Sequence, residues 1–235
     1  DYDIIKKSDY KNIRSLEDLE RIYKSSADEK LIDSLVRCNN CKFEYLNPRI
    51  NSNIINLSYD NNIDDVHVSQ NNSRIRTFKK SLRKITKILN LKNTENINVL
   101  DIGSASGAFL KASKDLGLKE TGYEPSKWMV DYGKAKYSVN LKQGRIQDIQ
   151  SQKKFNIITF WDVIEHVTDL DITLNKIDEL SKKDSILIIN VPDIDSVMCS
   201  LFKSKWPFYL NVHLYYFNKN SIKKIFNKIN FKLIA

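Results

Sequence analysis

No run of apolar residues in this 235-residue chain approaches the roughly 18 that a membrane span requires. The opening segment DYDIIKKSDY lacks the apolar core of a signal peptide, so the sequence reads as a soluble, cytoplasmic chain. It opens on Asp1 rather than Met, so a natural start further upstream is an expectation. Cysteine is scarce: three residues, an odd number, argue against a disulfide framework. No Lys-Ser or Lys-Thr of the Walker type follows any candidate strand end, which excludes a P-loop. Internal repeats are also missing.

What is present suffices for a core. Hydrophobic residues make up 41% of the chain and aromatics 10%, and the length suits one large domain or one domain with a small appendage. The net charge of +9 raises the question of a nucleic-acid partner. The basic excess is scattered, however. Lys79, Lys80, Arg83, Lys84 and Lys87 share one helix, whereas Lys223, Lys224 and Lys228 lie far away, and the abundance of Asn and Ile beside Lys suggests a coding bias. Nucleic acid is therefore the minority reading.

Cys38 and Cys41 form a C-x2-C, half of a tetrahedral zinc site. Cys199 is too distant to complete it, and His67 has no paired ligand at a suitable spacing. Two reduced thiols in a turn is the favoured reading. A structural zinc at Cys38 and Cys41 requires ligands supplied from elsewhere.

Along the chain, residues 1–70 read as an irregular N-terminal region and 71–235 as one α/β domain. SLEDLERIYKS starts at Ser15 with capping-box-like spacing to Asp18 and predicts a short helix. INSNIINLSYDNNIDDVHVSQNN reads as loop. Ile75, Phe78, Leu82, Ile85 and Leu89 then form one apolar helical stripe, expected to pack on a sheet. From Ile97 strands and helices alternate: INVLDI, ETGYE, VNLKQG, FNIITFW, SILIINVP and a terminal FKLIA, with helices from Gly107, Lys127, Thr168 and Ser221. FNIITF and SILIIN are almost wholly apolar, as strands covered on both faces are. The pattern predicts a Rossmann-like, doubly wound, mostly parallel sheet.

In such a sheet, ligands bind beyond the carboxyl ends of the strands. Those ends are acidic: Asp101, then the turn GSASG; Glu124; Asp148 after the third strand; and Asp162 after the fourth. A carboxylate repels a pyrophosphate, and Ala105 breaks the G-x-G-x-x-G of dinucleotide loops. A ligand bearing an ammonium and a sulfonium reverses that logic. The acidic rim suits S-adenosylmethionine (SAM).

VLDIGSASGAFLKASKDLG, TGYEPSKWMVDYGK, GRIQDI and FNIITFWDVIEHVTDL, in that order, resemble the class I SAM-dependent methyltransferases. The resemblance is closest to the branch containing ubiquinone-biosynthesis O-methyltransferases and many methyltransferases of glycan and natural-product clusters. It covers roughly residues 70–235, and RCNNCKFEYLNPR resembles the ribbon-like lead-in of such proteins. The family loop usually carries glycine where this chain has Ala105, which a negative φ would accommodate. The family fold also ends in a further strand hairpin, whereas this chain stops at FKLIA, so either the sequence is a fragment or the last strand is missing here.

The resemblance implies a cofactor site of Asp101, Gly103, Ser104 and Gly107 at the methionine end and Glu124 on the ribose. Ile146 and Gln147 would flank the adenine, with Asp148 accepting from its amino group. Trp161 and Asp162 would lie at the mouth of the fourth strand. Alternatives stand beside these: Asp148 as an ordinary loop acid, and Trp161 as core packing. His213 and His166 are the candidate catalytic bases, since an ordinary imidazole pKa suits removal of a hydroxyl proton. They could equally satisfy a backbone carbonyl and cap a helix. No metal ligands are assigned.

The function expected is methyl transfer to a small-molecule acceptor by O- or C-methylation, a sugar or glycan precursor being the favoured class. Rivals are an RNA or protein methyltransferase, a non-catalytic SAM-fold partner subunit and, more distantly, an NAD-dependent oxidoreductase. WDVI in place of an N/D-P-P-Y/F tetrapeptide counts against the first.

Overall fold

The computed structural model describes residues 1–23, 31–61, 63–88 and 94–234. Its chain forms two compact units, each built from discontinuous segments rather than divided once near residue 70. The first unit contains Asp1–Tyr59, Asp162–Leu170 and Asn190–Ala235; the second contains Asp60–Trp161 and Asp171–Ile189.

In chain order the strands are β1 (Tyr2–Lys6), β2 (Leu35–Cys38), β3 (Glu44–Leu46), β4 (Asn98–Ile102), β5 (Lys119–Glu124), β6 (Leu141–Gln143), β7 (Phe155–Trp161), β8 (Ser181–Asn190) and β9 (Tyr215–Tyr216). The α-helices are α1 (Leu16–Ile22), α2 (Ser52–Asp60), α3 (Asp65–Ser69), α4 (Asn71–Ile88), α5 (Ala108–Asp115), α6 (Lys127–Tyr137), α7 (Leu170–Leu180), α8 (Val197–Phe202) and α9 (Lys219–Asn227). None is long and apolar enough to cross a membrane among the described residues.

The second unit carries the expected parallel sheet, in the order β6-β5-β4-β7-β8. β4 lies at its centre, with Asp101 beside Gly122 of β5 and Thr159 of β7. The core is contiguous. Leu82 of α4, Phe109 and Leu110 of α5, Val99 of β4, Leu141 of β6 and Ile157 of β7 share one buried cluster, with Ile75 and Phe78 packed against it. The α4 stripe therefore faces inward as its period predicted; Leu89 lies outside the described residues. β7 is buried almost throughout, but β8 is only half-buried, because it is the last strand in the sheet order. The expected terminal strand is not formed: 231–234 are non-strand, and Leu233 and Ile234 are exposed. Ala235 lies outside the described residues.

The first unit corrects the reading of an irregular N-terminal region. Its sheet has the order β1-β2-β3-β9, and the registered pairs are antiparallel. β2 and β3 form a hairpin in which Val36 faces Tyr45, and Tyr45 in turn pairs with Tyr215 of β9. Strands of three and four residues are too short to display alternation, and one partner arrives 170 positions later in the chain. The predicted loop also holds two helices. α2 buries Ile55 and Ser58, whose hydroxyl donates to the Tyr23 carbonyl, and α3 is capped by Asp64. α1 forms with both halves of the Ser15–Asp18 capping box in place; Lys24 and Ser25 of the predicted helix lie outside the described residues.

Candidate functional site

The glycine turn after β4 is built from left-handed backbone. Gly103, Ala105 and Gly107 have φ of 66°, 45° and 79°. The sequence expectation of a negative φ at Ala105 is thus corrected: the alanine occupies a conformation that favours glycine, at a steric cost. The amides of Gly103 and Ser104 both donate to the Tyr123 carbonyl of β5, and the Ser104 hydroxyl donates to the Asp101 carbonyl. Gly107 N-caps α5. A close neighbour was not foreseen. Asn71, at the start of α4, and Ser106 hydrogen-bond through their side chains, and both are buried.

Asp101 is 2% exposed and accepts a 2.5 Å hydrogen bond from the Thr159 hydroxyl. Burial pushes its carboxyl up to about 7, opposed by the hydroxyls of Thr159 and Ser104 and reinforced by Glu124. Glu124 is also buried, and its two oxygens accept from the backbone amides of Ala105 and Ser126 at 2.9 Å each. Burial again dominates, and its carboxyl likewise sits at about 7. Glu124 thus braces the glycine turn. Each oxygen retains acceptor capacity for a further donor. Two carboxyls on neighbouring strand ends, held at the edge of ionisation, form a site that a nearby cation would charge.

The remaining expected residues are arranged less uniformly. Ile146, Gln147 and Asp148 form a 3-10 turn after β6 in which Ile146 is buried and the other two are exposed. The Asp148 carboxylate accepts from the Arg145 amide at 2.8 Å, an ordinary loop role. Trp161 packs on Phe78 and Phe109, with ring centroids 5.1 and 5.5 Å away, so its indole is tied to the core. Among the described residues its Nε1 is nevertheless buried without a partner, as are His67 Nδ1 and Arg74 Nε in the same unit. The indole and guanidinium nitrogens are orphaned donors, which suit a ligand rich in acceptors. Arg74 stands about one turn beyond Asn71 on α4, where no motif singles it out.

Asp162 belongs to the first unit. It is exposed, with φ 56°, and its carboxylate accepts from the Asn190 side chain at 2.6 Å. The same unit brings His166 and His213 together, with ring centroids 4.7 Å apart and nearly perpendicular planes. Nδ1 of His166 lies 2.7 Å from the Val212 carbonyl and 2.9 Å from the Tyr59 hydroxyl; Nδ1 of His213 lies 2.9 Å from the Phe208 carbonyl. A carbonyl only accepts, so in each neutral ring Nδ1 carries the proton and Nε2 keeps its lone pair. Burial lowers His166 to about 4; burial and the neighbouring imidazole lower His213 to about 3. The premise of an ordinary imidazole pKa therefore holds for neither. Beside them is Glu165, which the sequence reading passed over. It is 1% exposed, and neither carboxylate oxygen meets a hydrogen-bonding partner of acceptable geometry among the described residues. Burial lifts its carboxyl to about 8, opposed by its own backbone amide and reinforced by Asp162.

Cys38 and Cys41 face one another across the β2–β3 turn, where the Cys41 amide and thiol and the Asn40 amide lower the Cys38 thiol. No third His, Cys, Asp or Glu stands with them in a metal-sized group among the described residues. The zinc expectation has no support there.

Known proteins resemble this geometry and sequence. A methyltransferase-domain family matches residues 73–235. The ubiquinone biosynthesis O-methyltransferase of Pelagibacter ubique is 30% identical over 122 residues, covering 49% of this chain and 51% of that one. The protein of the same name from Rhodopseudomonas palustris strain TIE-1 is 26% identical over 100 residues, 40% of each chain. The chain thus spans about half or less of the length of these curated relatives. A SAM-dependent methyltransferase from Archaeoglobus fulgidus superposes with a TM-score of 0.55 at 20% identity, over 72% of this chain and 75% of that one. The magnesium protoporphyrin IX methyltransferase of Synechocystis PCC 6803, solved with bound S-adenosylhomocysteine (SAH), superposes with a TM-score of 0.54 at 16% identity, over 75% and 81%. At such identities these two speak for a common fold.

Proposed function

The chain belongs to the methyltransferase-domain family, and on that premise we propose that it transfers a methyl group from SAM to a hydroxyl oxygen of a small-molecule acceptor. A sugar or glycan precursor is the acceptor class we favour. The observation that carries the reading is the buried pair Asp101 and Glu124, whose carboxyls burial holds at about 7 beside the glycine turn. Such groups are poor neighbours for a phosphate and good ones for a cation. The oxygen position rests on the names of the curated relatives.

When bound, SAM supplies a methyl group on a sulfonium, ready for in-line displacement by the acceptor oxygen. The chain's own residues then have to align and desolvate. Asp101 and the turn from Gly103 to Gly107 would hold the methionine end, with Asp101 kept in place by Thr159. Glu124 would take the ribose hydroxyls on the lone pairs that the Ala105 and Ser126 amides leave free. Ile146 would pack on the adenine, with Gln147 and Asp148 beside it. Arg74 Nε and Trp161 Nε1, buried without a partner among the described residues, would be the donors available to the ligand's carboxylate and ring nitrogens. Neither His166 nor His213 is assigned the hydroxyl proton, because burial has taken most of their basicity.

Calorimetric titration with SAM and SAH tests the cofactor, and mass spectrometry of sugar and phenol pools incubated with methyl-labelled SAM tests the transfer. A folded protein that gives no heat with either compound ends the reading. Label on carbon instead of oxygen overturns the oxygen assignment alone.

A further inference from the structure

The antiparallel unit holds a cavity to which methyl transfer assigns no role. It measures about 390 Å³, within the ~300–1,000 Å³ of small-molecule sites. All of its lining residues belong to the first unit, and none is among those assigned to SAM. One wall is the β2–β3 hairpin. Arg37 and Glu44 pair across it in register, and Lys42 lies in the turn between them. Another wall is α8, with Cys199 and Ser200 on the helix and Lys203 at its end. The Ile194 amide donates to the Phe217 carbonyl at 3.0 Å, which ties the approach to α8 to the segment after β9. Tyr209 completes the lining, its ring fixed edge-on between Trp206 and Tyr216, each with a centroid 5.2 Å away.

Glu44 carries an unmet need. It is 2% exposed, and both hydrogen bonds from the Arg37 guanidinium end on one oxygen, Oε1, the Nε donor lying at 2.9 Å. Oε2 is left buried without a partner among the described residues. A guanidinium fork spread over both oxygens would have satisfied the carboxylate within the protein. Here one acceptor in the cavity wall still calls for a donor. The terminal torsion of a glutamate is soft, so a small rotation presents Oε2 to a hydroxyl that enters the cavity.

The other charges select an anion. Arg37 neutralises Glu44, while Lys42 and Lys203 have no carboxylate within ion-pair distance among the described residues and outnumber the exposed Asp195. Such a balance repels a metal ion and attracts a phosphate or carboxylate. Burial, with the charge of Glu44 added, raises both the Cys199 thiol, against the Tyr209 hydrogen bond, and the Tyr209 phenol. Both stay protonated, so they line the cavity as neutral polar groups rather than as nucleophiles.

We propose that this cavity binds a hydroxylated small molecule of monosaccharide size that carries an anionic group, a phosphate or a carboxylate. A ligand hydroxyl donates to Oε2 of Glu44, and the ammonium groups of Lys42 and Lys203 take the anion. The combination discriminates: a neutral sugar leaves the lysines unused, and a bare anion leaves Oε2 unmet. The sequence hid the site because its lining comes from two short stretches, 37–44 and 194–218, that share no motif.

The test titrates the whole chain by calorimetry with hexose 6-phosphates and hexuronates of the gluco, manno and galacto series, and with glucose and inorganic phosphate alone. The expected result is one anionic sugar per chain, bound at least ~10-fold tighter than glucose or phosphate, with affinity that falls as salt rises. A tighter sugar phosphate assigns the anion as phosphate, and a tighter hexuronate assigns it as carboxylate. The exposed double substitution Lys42→Gln/Lys203→Gln should weaken that binding at least ~10-fold. Lys80→Gln/Lys84→Gln, which removes the same charge from α4, should bind as the parent does. No binding by any anionic sugar, phosphate or glucose bound as tightly as the anionic sugar, or equal affinity in the Lys42/Lys203 variant would overturn the site. Equal weakening by the α4 variant would do so too, since it reduces the effect to net charge. SAH titrated into the same samples keeps this outcome separate from the methyltransferase reading, because a chain that binds SAH but no anionic sugar loses only this site.

Discussion

If Asp101 and Glu124 recognise a cation, cofactor affinity must depend on pH in a way the structure already sets. Burial places both carboxyls at about 7 in the free protein. At pH 6 a group with that pKa is roughly one-eleventh ionised, and at pH 8 roughly ten-elevenths. A bound cation at Asp101 and donating ribose hydroxyls at Glu124 hold the two carboxylates ionised, so each group contributes about a tenfold gain in affinity from pH 6 to pH 8. Asp101 and Glu124 repel one another when charged, so the combined gain should fall between ~10-fold and ~100-fold. The same linkage fixes the sign for stability. A carboxyl raised above its unfolded value near ~4 stabilises the fold fully below that pH and loses the contribution as pH rises through about 7. The ligand-free Tm should therefore fall between pH 5 and pH 8, while the Tm gain on adding SAH grows. Calorimetry in buffers of differing ionisation heat measures both affinity and protons released. Asp101→Asn preserves the shape and the Thr159 contact. It should cost about 10- to 100-fold in affinity at pH 8, the usual worth of a charged hydrogen bond, and flatten the pH slope. Equal affinity at pH 6 and pH 8, or an Asp101→Asn variant with the parent's slope, would refute the electrostatic argument.

Three other perturbations follow from the packing. Ala105→Gly removes a Cβ from a backbone at φ 45°, and should raise stability by about 1 kcal/mol in urea unfolding without weakening SAH binding. Gly133→Ala places a Cβ 2.7 Å from the Ser106 carbonyl; the turn has to move, and SAH affinity should drop more than Tm does. Leu82→Ala opens a cavity where α4 meets the buried cluster, and should cost about 2–5 kcal/mol by denaturant titration while the pH slope of SAH binding persists.

Particular residues mark how far the sequence could be read. The strand ends at Asp101 and Glu124 were legible because each closes an apolar run and precedes a turn. The α4 stripe was legible through its period. Ala105 was visible as a departure, but not the sign of its φ, because hydrogen bonds to Tyr123 and Glu124 impose the turn. Trp161 stood open in the sequence between the mouth of the fourth strand and core packing. The rings of Phe78 and Phe109, 83 and 52 residues upstream, make it a core residue with a buried N–H. α2 was missed because asparagines dilute its apolar face, and β1 to β3 because each is too short to show alternation.

Local order of residues was enough to set the class of the second unit: alternating elements, apolar strands and acids at their ends follow from periodicity and spacing alone. What lies between distant segments was settled only by folding. Burial raised Asp101, Glu124 and Glu165 and lowered His166 and His213, and β9 completed a sheet begun by the first residues. The physical reason is common to all of them. Protonation and strand pairing depend on which groups surround a residue in space, and a linear sequence records only which residues precede and follow it.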